Sequence, residues 1–231
     1  MIDYTDTCTE IKGNLGLKCP SGMDAAMLIR AAEYALCNSV SPISAESACV
    51  HMLWSWLEGT KIEILAVLPA KRKNKSESVD DFGARLSENI SAAFKSGAVG
   101  VQLSVPVSDL EFAVSALLPV KDDLFFGRKL FIGLDFFDIE CFDWEDIYYQ
   151  LNKIGALGIL LYKSGGKEKK KDLDDTSGRL YGFFDVVPMD FKGAVQLAGF
   201  DIGGTESAWR LCQKMRPDLL PRITFFIDSK I

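Results

Sequence analysis

Lys95-Ser-Gly-Ala-Val-Gly-Val-Gln-Leu-Ser104 and Lys153-Ile-Gly-Ala-Leu-Gly-Ile-Leu-Leu-Tyr162 carry one pattern twice. In each copy a helix ends on Lys-x-Gly-Ala and an apolar strand follows. Glycine suits the position just past a helix C-terminus, where the backbone turns left-handed, and Val, Ile and Leu suit a strand covered on both faces. Such strands belong to a parallel sheet sandwiched by helices. Gly-Ala before a strand is common in α/β proteins; the phase relation is what the repeat adds. Side chains alternate along a strand, so Gln102 shares a face with the position of Leu160, and Ser104 with that of Tyr162.

Outward from this repeat, short apolar runs alternate with helical stretches along the whole chain. Candidate strands are 15–18, 36–41, 61–68, 98–105, 129–135, 157–162, 193–199 and 222–227, eight in all. Helices are expected over Met23–Leu36, Ser44–Leu57, Ser78–Phe94, Asp143–Ile154, Ser177–Val187 and Thr205–Met215. Ser78 with Asp80 and Asp81 behind it has the chemistry of a helix N-cap and an acidic first turn. Eight such units predict an α/β fold of the (β/α)8 TIM-barrel class, whose domains run to about 250 residues. The expectation is one domain over 1–231 with an irregular N-terminal extension of about 14 residues. The sequence ends directly after the eighth strand, with no room for a last helix. Apolar strand surface would then need cover from the N-terminal extension or from another subunit of a homo-oligomer.

Composition excludes several classes. A formal charge of −6 argues against general nucleic-acid binding, which depends on neutralising phosphates. No run approaches the roughly 18 apolar residues of a membrane span. The acidic opening Met1-Ile-Asp-Tyr-Thr-Asp6 has no apolar core of a secretory signal. The six cysteines (Cys8, Cys19, Cys37, Cys49, Cys141, Cys212) show no metal-ligand spacing and read as reduced thiols of a cytoplasmic protein. His51 is the single histidine, so multi-histidine metal sites are excluded, and no metal or cofactor is expected.

Asn38-Ser-Val-Ser-Pro42, then a helix, then Lys61-Ile-Glu-Ile-Leu-Ala-Val-Leu-Pro69 resembles the second and third strands of deoxyribose-phosphate aldolases. The resemblance continues through Ser78–Val105, Lys129–Asp135, Gly155–Ser164 and Ala198–Ala208, and Ile2-Asp3 with Leu17-Lys18 echoes the family's opening motif. It rests on order and spacing over most of the chain. It implies an aldolase-type barrel in which a lysine forms a Schiff base, an aspartate and a second lysine move protons, and glycine-rich strand ends hold phosphate. Carried over position by position, the aspartate falls at Gln102 and the Schiff-base lysine at Leu160. The second lysine falls at Gln196 or Leu197, and the phosphate-binding double glycine at Phe200-Asp201, with Gly203-Gly204 close by. Leucine has no nucleophile to offer. The resemblance therefore implies a lyase-like scaffold without the family's catalytic residues: a binder of a small phosphorylated or anionic ligand, or a non-catalytic partner of an active subunit.

Other residues keep alternatives open. Lys163 ends the sixth strand and is the candidate nucleophile of an aldolase with a relocated lysine, although it lies three residues beyond the expected position, and Lys18 is a second such lysine. Asp135 ends the fifth strand, where barrels often place acid–base groups, and with Asp201 is the candidate base of an isomerase. Gly203 and Gly204 open a helix whose backbone N–H groups suit a phosphate, and Gln102 and Gln196 are candidate ligand contacts. Lys71-Arg72-Lys73-Asn74-Lys75 and Lys167–Lys171 follow strands, so they would add positive potential at the C-terminal mouth.

Overall fold

A computed structural model of the chain describes residues 11–140, 142–163, 172–200 and 202–228. Eight parallel strands close into a barrel in sequence order. They are β1 (Leu15–Lys18), β2 (Ile43–Glu46), β3 (Ile64–Pro69), β4 (Gly100–Ser104), β5 (Lys129–Asp135), β6 (Gly158–Tyr162), β7 (Ala194–Ala198) and β8 (Ile223–Asp228), and β8 pairs back to β1. The crossovers are helical: α1 (Ala25–Asn38), α2 (Ser47–Leu57), α3 (Val79–Lys95), α4 (Leu110–Leu117) with the short α5 (Lys121–Phe125), α6 (Trp144–Ile154), α7 (Asp172–Val186) and α8 (Ile202–Met215). This is the TIM barrel expected from the sequence. No helix follows β8 among the described residues.

The repeated Gly-Ala acquires its physical cause here. Gly97 (φ 106°) and Gly155 (φ 72°) are both left-handed, and their N–H groups donate to Phe94 O and Asn152 O at 3.1 Å. The following Ala98 and Ala156 donate to Ala93 O and Leu151 O, closing α3 and α6 with the same Schellman turn. A Cβ on Gly97 would also stand 2.3 Å from Trp54 Cγ, so α2 packs where only glycine leaves room. At the other end of α3, Ser78 Oγ accepts from Asp81 N at 3.1 Å, the cap expected from the sequence.

The second strand differs from the expectation. Residues 36–41 do not form it; they hold the last turn of α1, a left-handed Ser39 (φ 54°) that donates back to Leu36 O and Ala35 O, and the lead-in to a cis Ser41–Pro42 bond. The strand is Ile43–Glu46, because Ile43, Ser44 and Ala45 are the residues buried on both faces, whereas Leu36 is exposed on α1. Helix α2 accordingly starts at Ser47 rather than Ser44. Helix α4 was not named from the sequence, although Leu110, Ala113, Val114 and Leu117 keep helical spacing and are all buried.

The core has two parts. Outward-facing strand residues such as Leu17, Ile43, Val101, Ile132, Leu161, Leu197 and Phe225 pack against the helices. Inside the barrel, Leu65, Phe131, Leu160, Ala198 and Phe226 form a separate apolar cluster. The outer faces of β1 and β8 are buried at Leu15, Leu17, Phe225 and Ile227, so the apolar strand surface foreseen there is not left open. Trp209 of α8 meets Phe225 edge-on, and Ile11 joins the same core.

Candidate functional site

Strand register decides which side chains meet inside the barrel. Gly16 faces inward, because a Cβ there would touch the Phe226 ring at 2.8 Å. Alternation then turns Lys18, Ser44, Glu46, Leu65, Gln102, Ser104, Phe131, Asp135, Leu160, Tyr162, Gln196, Thr224, Phe226 and Asp228 inward. In a tilted barrel such residues stack in layers drawn from alternate strands. Gly16, Leu65, Phe131 and Gln196 make one layer. Ser44, Gln102, Leu160 and Phe226 lie on the next, toward the C-terminal ends of the strands.

These two layers contain a polar chain. Ser44 Oγ donates to Gln102 Oε1 at 2.5 Å, and Gln102 Nε2 donates to Gln196 Oε1 at 2.7 Å. It links β2, β4 and β7 through the middle of the barrel, and its three members are 0–3% exposed. Buried amides of this kind are tolerated because they are paired; each lost partner would leave a desolvated group. Leu160, 5% exposed, lies beside the chain in the apolar cluster with Phe226 and Phe131. Gln102 and Gln196 are therefore brought together, as sequence phase and spacing did not foretell.

At the C-terminal mouth the structure gathers Ser104, Asp135 and Tyr162. Asp135 pairs in register with Tyr162, and Ser104 with Gly133, over which the Tyr162 ring lies. Burial pushes the Tyr162 phenol above its ordinary range; a hydrogen bond with Ser104 pulls it back, while the carboxylates of Asp135 and Asp138 push it further up. Asp135 Oδ1 accepts from Phe137 N at 3.0 Å, which fixes the carboxylate at the strand end. Lys18 and Asp228 are register partners on the opposite wall, with Glu46 nearby. Glu46 and Asp228 were not singled out from the sequence, although their strand-end positions could have signalled them.

The other candidates lie elsewhere. Lys163 N–H continues the ladder to Ala198 O at 3.0 Å, on the phase opposite Leu160 and Tyr162, and its ammonium stands 5.7 Å from the Phe137 ring centre. Arg72 is held by Asp109 at 2.5 Å and stacks on Phe112 at 4.8 Å, so the most constrained cation of the 71–75 cluster is neutralised. Lys167–Lys171, Asp201, Cys8 and Cys141 fall outside the described residues. Gly203 and Gly204 stand in the first turn of α8, just ahead of the buried Thr205. Among the described residues no three His, Cys, Asp or Glu side chains come together as metal ligands, and no helix is long and apolar enough to cross a membrane.

Two clefts open at the other end of the barrel, where the sequence suggested none. One, of about 530 Å³, runs between the end of α6 and the segment before β7, along Arg128, Tyr148, Asn152 and Phe191. The other, of about 380 Å³, enters the barrel between the N-terminal ends of the strands and reaches Leu65, Phe131, Gln196 and Thr224.

No protein-family model matches the sequence, and no curated protein matches it. Solved structures do. The tetrameric deoxyribose phosphate aldolase from Aeropyrum pernix superposes with a TM-score of 0.70 over 97% of this chain and 91% of its own, at 9% identity. The aldolase QR15 gives a TM-score of 0.64 over 94% of this chain and 91% of its own, at 10% identity. At such identities the likeness is one of architecture, and the chain has the barrel fold of the deoxyribose-phosphate aldolases.

Proposed function

We propose that the chain is an aldolase-like barrel without Schiff-base chemistry, which holds a small phosphorylated or anionic ligand at its C-terminal mouth. The observation that carries this reading is Leu160. At the position where the resemblance expects the lysine nucleophile, a leucine lies in an apolar cluster with Leu65, Phe131, Ala198 and Phe226. An amine that must shed its proton to react has no counterpart there; the expected aspartate's position holds the paired amide of Gln102, and the second lysine's position, Gln196 or Leu197, holds a paired amide or a leucine. Gly203 and Gly204 at the start of α8 supply backbone N–H groups for an anion, and Lys18 supplies a cation on the inward phase of β1. A cytoplasmic homo-oligomer fits the scattered thiols and the exposed Trp56, Phe126 and Met189.

Borohydride reduction in the presence of deoxyribose 5-phosphate or acetaldehyde tests the first half: mass spectrometry is expected to find no covalent adduct. An adduct mapping to Lys163 would replace this reading with that of an active aldolase using a relocated lysine. For the ligand, phosphorylated sugars are expected to raise the melting temperature, and replacing Gly203 and Gly204 to diminish the effect; a flat panel removes the anion site.

A second reading is favoured by one arrangement. Asp135 and Tyr162 are in-register neighbours at the mouth, with Ser104 bonded to the phenol, and a carboxylate beside a phenol kept protonated is a base–acid pair. It suits proton transfer on a small carbonyl compound, as in an isomerase. Solvent exchange of the α-proton of candidate hydroxy-ketones, lost in Asp135→Asn, is the expected result.

A further inference from the structure

The 380 Å³ cleft at the N-terminal end of the barrel belongs to neither reading above, since both place their chemistry at the C-terminal mouth. Above its walls the strands run close together: at the inward Gly100 and Gly158, the first residues of β4 and β6, a Cβ would stand 2.6 Å from Lys129 Cβ and 2.1 Å from Ala194 O.

The floor of the cleft is chemically specific. Gln196, 3% exposed, lines it. Its Oε1 accepts from Gln102, and its Nε2 makes no hydrogen bond to another described residue. Reversing the amides along the chain would exchange donor for acceptor but would still leave one end of Gln196 unmatched. Thr224 brings a hydroxyl to the same wall, while Leu65 and Phe131 supply an apolar surface. The rim is cationic. Lys129 is neutralised by Glu63 at 2.5 Å, and Arg222 is committed to the carbonyls of Phe191 and Gly193. Lys192 is exposed and makes no ion pair among the described residues.

We infer that this N-terminal cleft is a binding site for a small polyhydroxylated anion of the sugar-phosphate class. Its hydroxyl-bearing end meets Gln196 and Thr224 against Phe131, and its charge lies at Lys192. A sugar fits the mixed floor because its hydroxyls satisfy the amide while its C–H face covers the ring. The polar chain then acts as a partition, with Gln102 joining the cleft to the upper interior.

Calorimetric titration of the full chain with ribose 5-phosphate, ribose and inorganic phosphate tests this. Ribose 5-phosphate is expected to bind more tightly than either fragment. Lys192→Glu, on the exposed rim, should weaken it by roughly tenfold or more. Ala194→Leu, which fills the entrance, should abolish the binding that depends on Lys192, and Glu88→Gln, on the exposed face of α3, should leave it unchanged. Should Ala194→Leu fail to fold, the Gln196 side-chain amide of the unaltered protein carries the same information, since its ¹H–¹⁵N signal should shift on titration. Binding lost in Gly203→Ala and retained in Lys192→Glu would overturn this inference while leaving the C-terminal reading intact. Absence of binding by all three probes, or a Gln196 signal unmoved at saturation, would also overturn it.

Discussion

At the C-terminal end of the barrel, Phe226 and Leu160 lie in the interior beneath a rim of Ser104, Asp135, Tyr162, Lys18 and Asp228; at the N-terminal end, a cleft reaches in to Leu65, Phe131 and Gln196. Among the described residues, one end therefore sets ionisable groups above an apolar cluster, and the other a cleft with an amide and a hydroxyl at its floor. Barrel enzymes concentrate their chemistry at the C-terminal ends of the strands. In this chain the usual face carries the ionisable groups, and a cleft also opens at the other end. The Ser44–Gln102–Gln196 chain is the boundary between them, and its continuity keeps the two ends distinct.

The harshest way to break that contrast is to place a lysine in the apolar cluster. Leu160→Lys would set an ammonium among Leu65, Phe131 and Phe226, and a loss of more than about 3 kcal/mol is expected from denaturant unfolding, with no borohydride adduct gained. Gly158→Ala attacks the other end of the strands: its Cβ would collide with Ala194 O, and overpacking of this kind costs about 1–3 kcal/mol in denaturant unfolding. Removing the partition with Gln102→Leu strands Ser44 and Gln196 together, so a loss of about 2 kcal/mol is expected, of which Ser44→Ala in the same background should recover a part.

Tyr162→Phe is the mildest and tests the mouth alone. It removes the bond to Ser104, worth about 1 kcal/mol, and it changes the alkaline limb of stability. A phenol whose folded pKa is raised stabilises the fold fully below its unfolded value, about 10, and that contribution is lost as pH rises through the folded value. Tyr148, buried with no hydrogen-bond partner for its hydroxyl, shifts in the same direction because of burial. Absorbance titration should show late-ionising phenols, one of them missing in Tyr162→Phe and one in Tyr148→Phe. If neither variant removes a late phenol, the buried mouth described for Tyr162 is wrong.

The barrel was readable because its causes are local. Gly97-Ala98 and Gly155-Ala156 end helices by a backbone conformation that glycine favours, and the Val, Ile and Leu runs behind them mark strands covered on both faces. The second strand was misplaced because Ile43-Ser-Ala-Glu46 is too short to show a period, while 36–41 continues α1 before turning at Ser39. Helix α4 shows that a clear apolar spacing can pass unread when it lacks a cap: Asp109 makes no side-chain capping bond and instead holds Arg72. Of the site, Asp135 was legible from its place at a strand end, and the shared face of Ser104 and Tyr162 from strand alternation. The N-terminal cleft was not, because its walls come from residues far apart in the chain, from Asn14 to Thr224.

By itself the sequence determined the alternation of elements, the faces of the strands and a leucine at the inward position 160, since each depends on residue type and spacing along one segment. Only the tertiary structure decided that Gln102 reaches Gln196 across the barrel, that Arg72 is tied to Asp109, and that the interior opens at the end opposite the ionisable rim. Those facts depend on strand register and tilt, which bring residues 94 and 37 positions apart into contact and which no local pattern encodes.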